Sequence, residues 1–216
     1  RPYVVTVHDL IDLLYPQYAK RKVGPYVRAV VAPAVRAAAA VITDDEATVA
    51  DLERFLGVDP RRVRVIALGE DDPPAPPEAI ARARPYVLYA GNRRPHKNLA
   101  VLIAAWSQLA GGPAVDLVLT GPPDAALSAR RGPGDVVFLG DVGDVELRRW
   151  YAGAAAYAHP ALREGFGLPP LEAMRYGARV VASRGALPRM LAEHAVALDA
   201  LDVAAWRAAL AAILTD

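Results

Sequence analysis

Two carboxylates, Glu164 and Glu172, bracket the core of the stretch REGFGLPPLEAM (163–174), and between them lie only glycine, proline and apolar residues. Gly165 and Gly167 can take backbone conformations closed to other residues and expose peptide N–H groups. Pro169 and Pro170 suit the first turn of a helix. A helix starting near Pro169 puts Glu172 in its first turn or just beyond, and helical side chains lean toward the N-terminus, so this carboxylate can reach back to the loop. Glu164 would approach the same space from the strand side. The pair can then line one pocket and accept hydrogen bonds from hydroxyls. Taken alone, the stretch has a simpler account, in which Glu172 complements the helix dipole and Glu164 pairs with Arg163 at the surface.

A second chemical stretch is GNRRPHKN (91–98), where Arg93, Arg94, His96 and Lys97 precede a helical pattern and Gly91 allows a tight turn. The free N–H groups and positive dipole end of that helix favour an anion, and basic side chains add charge-assisted hydrogen bonds, so a phosphate fits. A solvated basic turn explains the loop equally well. Its weakness is that cations at a helix N-terminus oppose the dipole unless an anion is present. His8 and Asp9 leave an apolar run directly, the expected exit to a ligand crevice. His159, His194, Asp44, Asp45 and Glu46 are read as structural, solvated or capping residues.

The elements that must position these residues are short apolar runs bounded by Gly, Pro or Asp: 3–7, 40–43, 63–68, 86–91, 116–121, 136–140, 155–160 and 179–183. They read as buried strands. Segments of helical period lie between them at 25–39, 46–56, 97–110, 144–152, 169–176 and 202–214. Strand alternating with helix predicts parallel sheets of βαβ units. The stretch GEDDPPAPPEAIARARP (69–85), with five prolines and clustered acids, reads as a linker. The chain then divides into 1–70, with about three strands and the look of part of a domain, and 71–216, with at least five. In open parallel sheets, ligands bind beyond the carboxyl ends of the strands. Both stretches described above lie there, as do the turns at Gly121 and at Gly140 to Val142.

Composition narrows the chemistry. Of 216 residues 54% are hydrophobic, enough for a substantial core, and disorder is excluded. Twenty-five basic and 24 acidic residues are spread along the chain with a net charge of +1, which argues against nucleic acid as a partner. No cysteine is present, so disulfides, thiolate metal sites and cysteine nucleophiles are ruled out. The longest apolar stretch, AVVAPAVRAAAAVI, is interrupted by Pro33 and Arg36 and is too short to span a bilayer, making a soluble chain the expectation. The spacings G-x-G-x-x-G after a strand, G-x-x-x-x-G-K-[ST], G-x-S-x-G, H-E-x-x-H and D-x-D are all missing.

Taken together, these motifs resemble the retaining glycosyltransferases of family 4, with the two-domain GT-B fold. A glutamate, seven intervening residues and a second glutamate around G-F-G-L-P form that family's signature, matched here by Glu164 and Glu172. TVHDL, GNRRPHKNL and VVASRGALP agree in order and spacing, and the resemblance covers nearly the whole chain. Within the family, VVTVHDLIDLLYP looks most like the O-antigen mannosyltransferase B type, which points to GDP-mannose as donor and to polysaccharide biosynthesis.

The resemblance implies transfer of a hexose from a nucleoside-diphosphate sugar to a glycan or lipid-linked acceptor, without a metal, in the cytoplasm or at the inner face of the membrane. By this likeness Glu164 holds donor-sugar hydroxyls, Glu172 holds the ribose, and the N–H groups of Phe166, Gly167 and Leu168 bind between them. Gly91, Asn92, Arg93 and Lys97 would form the diphosphate side, with Lys97 and Arg93 or a neighbour neutralising charge. His8 would contact the sugar near its reacting centre. The chain departs from the pattern at His96, where arginine or a similar residue is usual, at Arg189, where glutamate commonly follows the proline, and at Asp45, where serine is frequent. Family members normally carry two or three further βα units before the VHD strand and a final returning helix, so the first unit looks truncated and the acceptor site incomplete. A non-catalytic nucleotide-sugar binding module and a GT-B epimerase are the alternatives.

Overall fold

All eight apolar runs form strands in the computed structural model, which describes residues 1–69 and 77–215. They are β1 (Val4–Thr6), β2 (Ala40–Thr43), β3 (Val63–Val65), β4 (Tyr86–Tyr89), β5 (Asp116–Leu119), β6 (Val136–Phe138), β7 (Ala156–His159) and β8 (Val180–Ser183). Several end earlier than their apolar runs. Gly91, Gly121 and Gly140 sit at φ of 147°, 88° and 71°, where the chain leaves the extended region and the ladder must stop. A ninth strand, β9 (Val196–Leu198), has three residues and leaves Val196 41% exposed, so it carries no buried run by which to recognise it.

The helices are α1 (Ile11–Leu14), α2 (Val23–Tyr26), α3 (Ala32–Ala37), α4 (Glu46–Asp51), α5 (Leu99–Ser107), α6 (Ala125–Ser128), α7 (Asp144–Gly153), α8 (Leu168–Arg175) and α9 (Val203–Thr215). The helical period at 25–39 is realised as α2, a π-helical stretch at Val27–Val31, and α3. That at 46–56 continues from α4 into another π-helical stretch, Leu52–Leu56, which ends on Gly57 in the left-handed conformation. Among the described residues, no helix is long and apolar enough to cross a membrane.

The chain forms two compact units, Arg1–Gly69 with Arg163–Phe166, and Glu70–Leu162 with Gly167–Asp216. The first holds a parallel sheet in the order β1-β2-β3. Val7, Val35, Val41, Leu52, Leu56 and Val63 form its core.

The second unit holds a six-stranded parallel sheet in the order β6-β5-β4-β7-β8-β9. Alternation along β4 sends Val87 and Tyr89 to one face, with Leu102 and Trp106 of α5 and Trp206 and Leu210 of α9. Tyr86 and Leu88 go to the other, with Trp150 and Tyr151 of α7 and Ala173 of α8. Both faces are covered, which is why these strands read as continuous apolar runs. The strand order reverses between β5 and β7, on either side of β4, and creates a switch point at the carboxyl end of β4.

Part of the expected linker, 70–76, lies outside the described residues. The remainder, 77–85, packs on the second unit. The N–H of Ile80 donates to the Arg149 carbonyl at 3.1 Å. Arg82 and Arg84 reach Asp116, buried at the start of β5, at 2.8 and 3.2 Å. The Asp135 N–H also donates to Asp116, at 3.0 Å, so this buried carboxylate is fully engaged and a polar-looking segment is drawn onto the sheet.

Trp106 is fully buried and its indole N–H donates to the Val115 carbonyl at 2.9 Å. Trp106→Ala is expected to destabilise the second unit by about 3–5 kcal/mol, read as a fall in the urea midpoint with unchanged slope.

Candidate donor-binding site

The switch point fills with backbone. The Gly91 N–H donates to Thr120 Oγ1 at 2.9 Å, tying the exit of β4 to that of β5. Gly121 and Gly140 exchange two backbone hydrogen bonds of 2.7 and 3.1 Å, tying the exit of β5 to that of β6. Three strand ends are thus joined edge to edge at glycine turns. Above them is a cavity of about 470 Å³ lined by Gly91, Gly121, Gly140, Tyr151, Pro169 and Glu172. Asp141 and Val142, in the turn that follows β6, line it too.

Glu172 enters this cavity from α8. That helix starts at Leu168 after Gly167, which takes φ of 92° as its N-cap, and Pro169 and Pro170 fall in its first turn. Glu172 therefore sits just beyond the first turn, in the same unit as Gly91 and Lys97. The Tyr151 hydroxyl donates to Glu172 Oε2 at 3.0 Å. Tyr151 is itself wedged edge-on to Tyr157 and stacked on Tyr176, with ring centroids 5.5 and 6.2 Å away. A packed aromatic thus holds one oxygen of this carboxylate in place at the cavity wall.

The basic loop divides its side chains between two jobs. Arg93 turns inward. Its guanidinium lies 4.8 Å from the Phe138 ring centroid and donates to the carbonyls of Thr120, at 3.2 Å, and Pro122. It therefore braces the turn at Gly121, while its Nε is buried with no hydrogen-bond partner. Arg94 is exposed, His96 is 4% exposed, and Lys97 is half-buried at the end of a 3₁₀ turn, Pro95–Lys97. Asn98, at φ of 54°, donates through its amide to the carbonyls of Pro160 and Ala200 at 3.1 and 2.6 Å. The His96 carbonyl accepts from the Leu162 N–H at 2.8 Å. These bonds staple the loop carrying Asn92, Arg93 and Lys97 to the exit of β7, across the switch point. Among the described residues, no group of three or more His, Asp and Glu side chains is placed to hold a metal ion.

The signature is shared between units, since Arg163–Phe166 groups with the first and Gly167 onward with the second. Within the first, Arg163 pairs with Asp51 at 2.8 Å. Burial pushes the nearby Tyr15 phenol up, against the pull of Arg163. Glu164 is half-buried and Phe166 is 5% exposed. A Cβ at Gly165 would stand 2.8 Å from the His8 carbonyl, so the loop passes directly over the exit of β1. His8 itself is open to solvent and its Nδ1 meets Asp44 Oδ2 at 2.6 Å.

Sequence reasoning missed Tyr151 and Thr120, and assigned Asp44 only a default structural role. Tyr151 occupies a buried position of α7 and offers no signal beyond that. At Asp45, where the family pattern favours serine, the side chain caps α4 by accepting from the Ala47 N–H at 2.8 Å, a task either residue performs.

Comparison with known proteins follows the same two-unit division. Residues 84–216 match the family model described as "Glycosyl transferases group 1", and residues 1–69 match a "Glycosyl transferase 4-like domain". The O-antigen chain mannosyltransferase B of Escherichia coli is 28% identical over 99% of this chain and 61% of its own length. Sucrose-phosphate synthase from Thermosynechococcus elongatus superposes with a TM-score of 0.75 at 23% identity, over 99% of this chain and 58% of that one. The structure of Anabaena HepE in complex with UDP and glucose gives 0.70 at 22% identity, over 97% and 62%. The fold is therefore the α/β GT-B type with Rossmann-like units. The chain spans about 60% of the length of the curated relatives it matches.

Gly167 has no room for a side chain, because a Cβ would lie 2.9 Å from the Ala186 carbonyl at a left-handed φ. Gly167→Ala is expected to cost at least about 1–3 kcal/mol in chemical denaturation and to loosen the start of α8. An unchanged midpoint would show that this turn is free to rearrange.

Proposed function

Since the chain belongs to the glycosyl transferases group 1 family, we propose that it supplies the donor site of a retaining hexosyltransferase. The donor is a nucleoside-diphosphate sugar, with GDP-mannose favoured by the mannosyltransferase relatives, and the acceptor is a glycan or a lipid-linked glycan. The observation carrying this reading is Glu172, a carboxylate locked by Tyr151 in a glycine-lined cavity at the carboxyl ends of β4, β5 and β6. Such a carboxylate accepts from paired hydroxyls, as a ribose offers, while glycine turns let a flat base and a diphosphate approach the backbone.

In this reading Lys97, supported by Arg93 or its neighbour Arg94, meets the negative charge that grows on the leaving diphosphate, and Asn92 and Gly91 flank it. Fixed cations do there the electrostatic work that a metal does in other transferases. Phe166, Gly167 and Leu168 supply N–H groups, Glu164 holds sugar hydroxyls, and His8 contacts the sugar near its anomeric carbon. The bond from that carbon to the diphosphate breaks, the acceptor oxygen bonds on the same face, and the acceptor proton passes to the departing phosphate oxygen. Retention follows from attack on the face that the leaving group vacates. Assembly of a polysaccharide at the inner face of the membrane is the setting that fits this chemistry.

The experiment is a thermal-shift screen of GDP, UDP and dTDP sugars, followed by calorimetry and product analysis. A true donor at a hundred times its dissociation constant is expected to add about 2.7 kcal/mol of stability. Glu172→Gln is expected to weaken its binding about 10- to 100-fold, the scale of one hydrogen bond to a charged group. Lys97→Ala and Glu164→Gln are expected to cut turnover, which should persist in the presence of a chelator. Full activity in both variants would end the proposal. Binding with no turnover of any donor would reduce the chain to a binding module, and donor conversion without an acceptor would make it an epimerase.

A further inference from the structure

In the parallel pairing of β1 with β2, Val4 lies beside Ala40, Val5 beside Val41 and Thr6 beside Ile42. The bond from the Val7 N–H to the Ile42 carbonyl, 2.9 Å, carries the same register one step past the strands. Continued one residue further, it sets His8 beside Asp44, and there the side chains meet: Nδ1 of His8 is 2.6 Å from Oδ2 of Asp44. The two partners differ sharply in exposure. The Asp44 side chain is 4% exposed and that of His8 is 66% exposed. Consecutive acids thus divide along the alternation of the strand, Asp45 capping α4 and Asp44 turning toward the end of β1.

A buried carboxylate needs a donor, and among the described residues the side chain that supplies one to Asp44 is the imidazole of His8. A carboxylate can only accept, so the hydrogen between them belongs to Nδ1, and the other ring nitrogen, Nε2, is left on the exposed side. We propose that Asp44 is a positioning residue for His8: it fixes the ring and its Nδ1–H tautomer, so that Nε2 presents a lone pair that accepts a hydrogen bond from a sugar hydroxyl. The ligand class this selects is a sugar with a free hydroxyl at the contacted position, in preference to its deoxy analogue. The contact between His8 and sugar rests on the function proposed above; the pairing of Asp44 with His8 does not. The neighbours on the same turn serve other ends. Asp9 accepts from the Ile11 N–H at 2.9 Å, and Gly165 packs on the His8 carbonyl.

The test uses two readouts on the full chain. Long-range ¹H–¹⁵N spectra, recorded where the imidazoles are neutral and assigned with His8→Gln, are expected to place the proton on Nδ1 of His8 in the parent protein. In Asp44→Leu, which offers no acceptor, the proton is expected to move toward Nε2. Should that variant fail to fold, Asp44→Ala, which likewise offers no acceptor, takes its place, with circular dichroism as the control. A parent His8 protonated on Nε2, or a folded variant keeping the parent pattern, would overturn the proposal. Donor turnover in Asp44→Ala is expected to fall about 10- to 100-fold, together with the preference for the hydroxylated sugar over its deoxy analogue, and to recover in part in Asp44→Glu. An altered tautomer with unchanged turnover would make Asp44 a packing residue and equally overturn it. The spectra report on the pair whether or not donor is consumed, and calorimetry on Glu172→Gln reports on the donor site, so the two readings fail separately.

Discussion

No face of β4 is open. Its four residues are buried, between α5 and α9 on one side and α7 and α8 on the other, and a strand so enclosed cannot carry a working polar group on its length. Chemistry is pushed to the exits, and because the sheet is parallel the exits of all its strands lie at one end. The adjacent strand order then decides which exits meet. With β5 and β7 flanking β4, the loop after β4 is stitched both to Thr120 and to Pro160, and the cavity forms where those stitches leave room.

The same constraint explains why glycine marks this end. Side chains above the strand tips would fill the space that a ligand needs, and the chain must also turn out of the extended region within a residue or two. Gly91, Gly121 and Gly140 satisfy both requirements, and Thr120 and Arg93 hold the resulting turns in place. Specific chemistry is added from a different element, the start of α8, where Glu172 is oriented by a tyrosine of the preceding helix.

Much of this could be read from residues in order. The apolar runs gave the strands, and the glycines and prolines around Glu172 gave a helix start within a residue of where it lies. What escaped depends on residues far apart in sequence. Tyr151 is 21 positions from Glu172, and the register that pairs His8 with Asp44 spans 36. Arg93 was legible as a cation before a helix but not as one turned inward, because Phe138 and the carbonyls that draw it in arrive from other strands. The stretch 77–85 looked like tether because its arginines have no visible partner until Asp116 is folded beside them.

Arg93 has a consequence beyond the turn it braces. Its hydrogen bonds end on neutral carbonyls and its planar face on a ring, so among the described residues no carboxylate pairs with it there. A guanidinium stays ionised throughout the range in which proteins are folded. A fixed positive charge is thus anchored beside Thr120 and Pro122, at the rim of the cavity, and its field there is strengthened where water is scarce and dimmed by added salt.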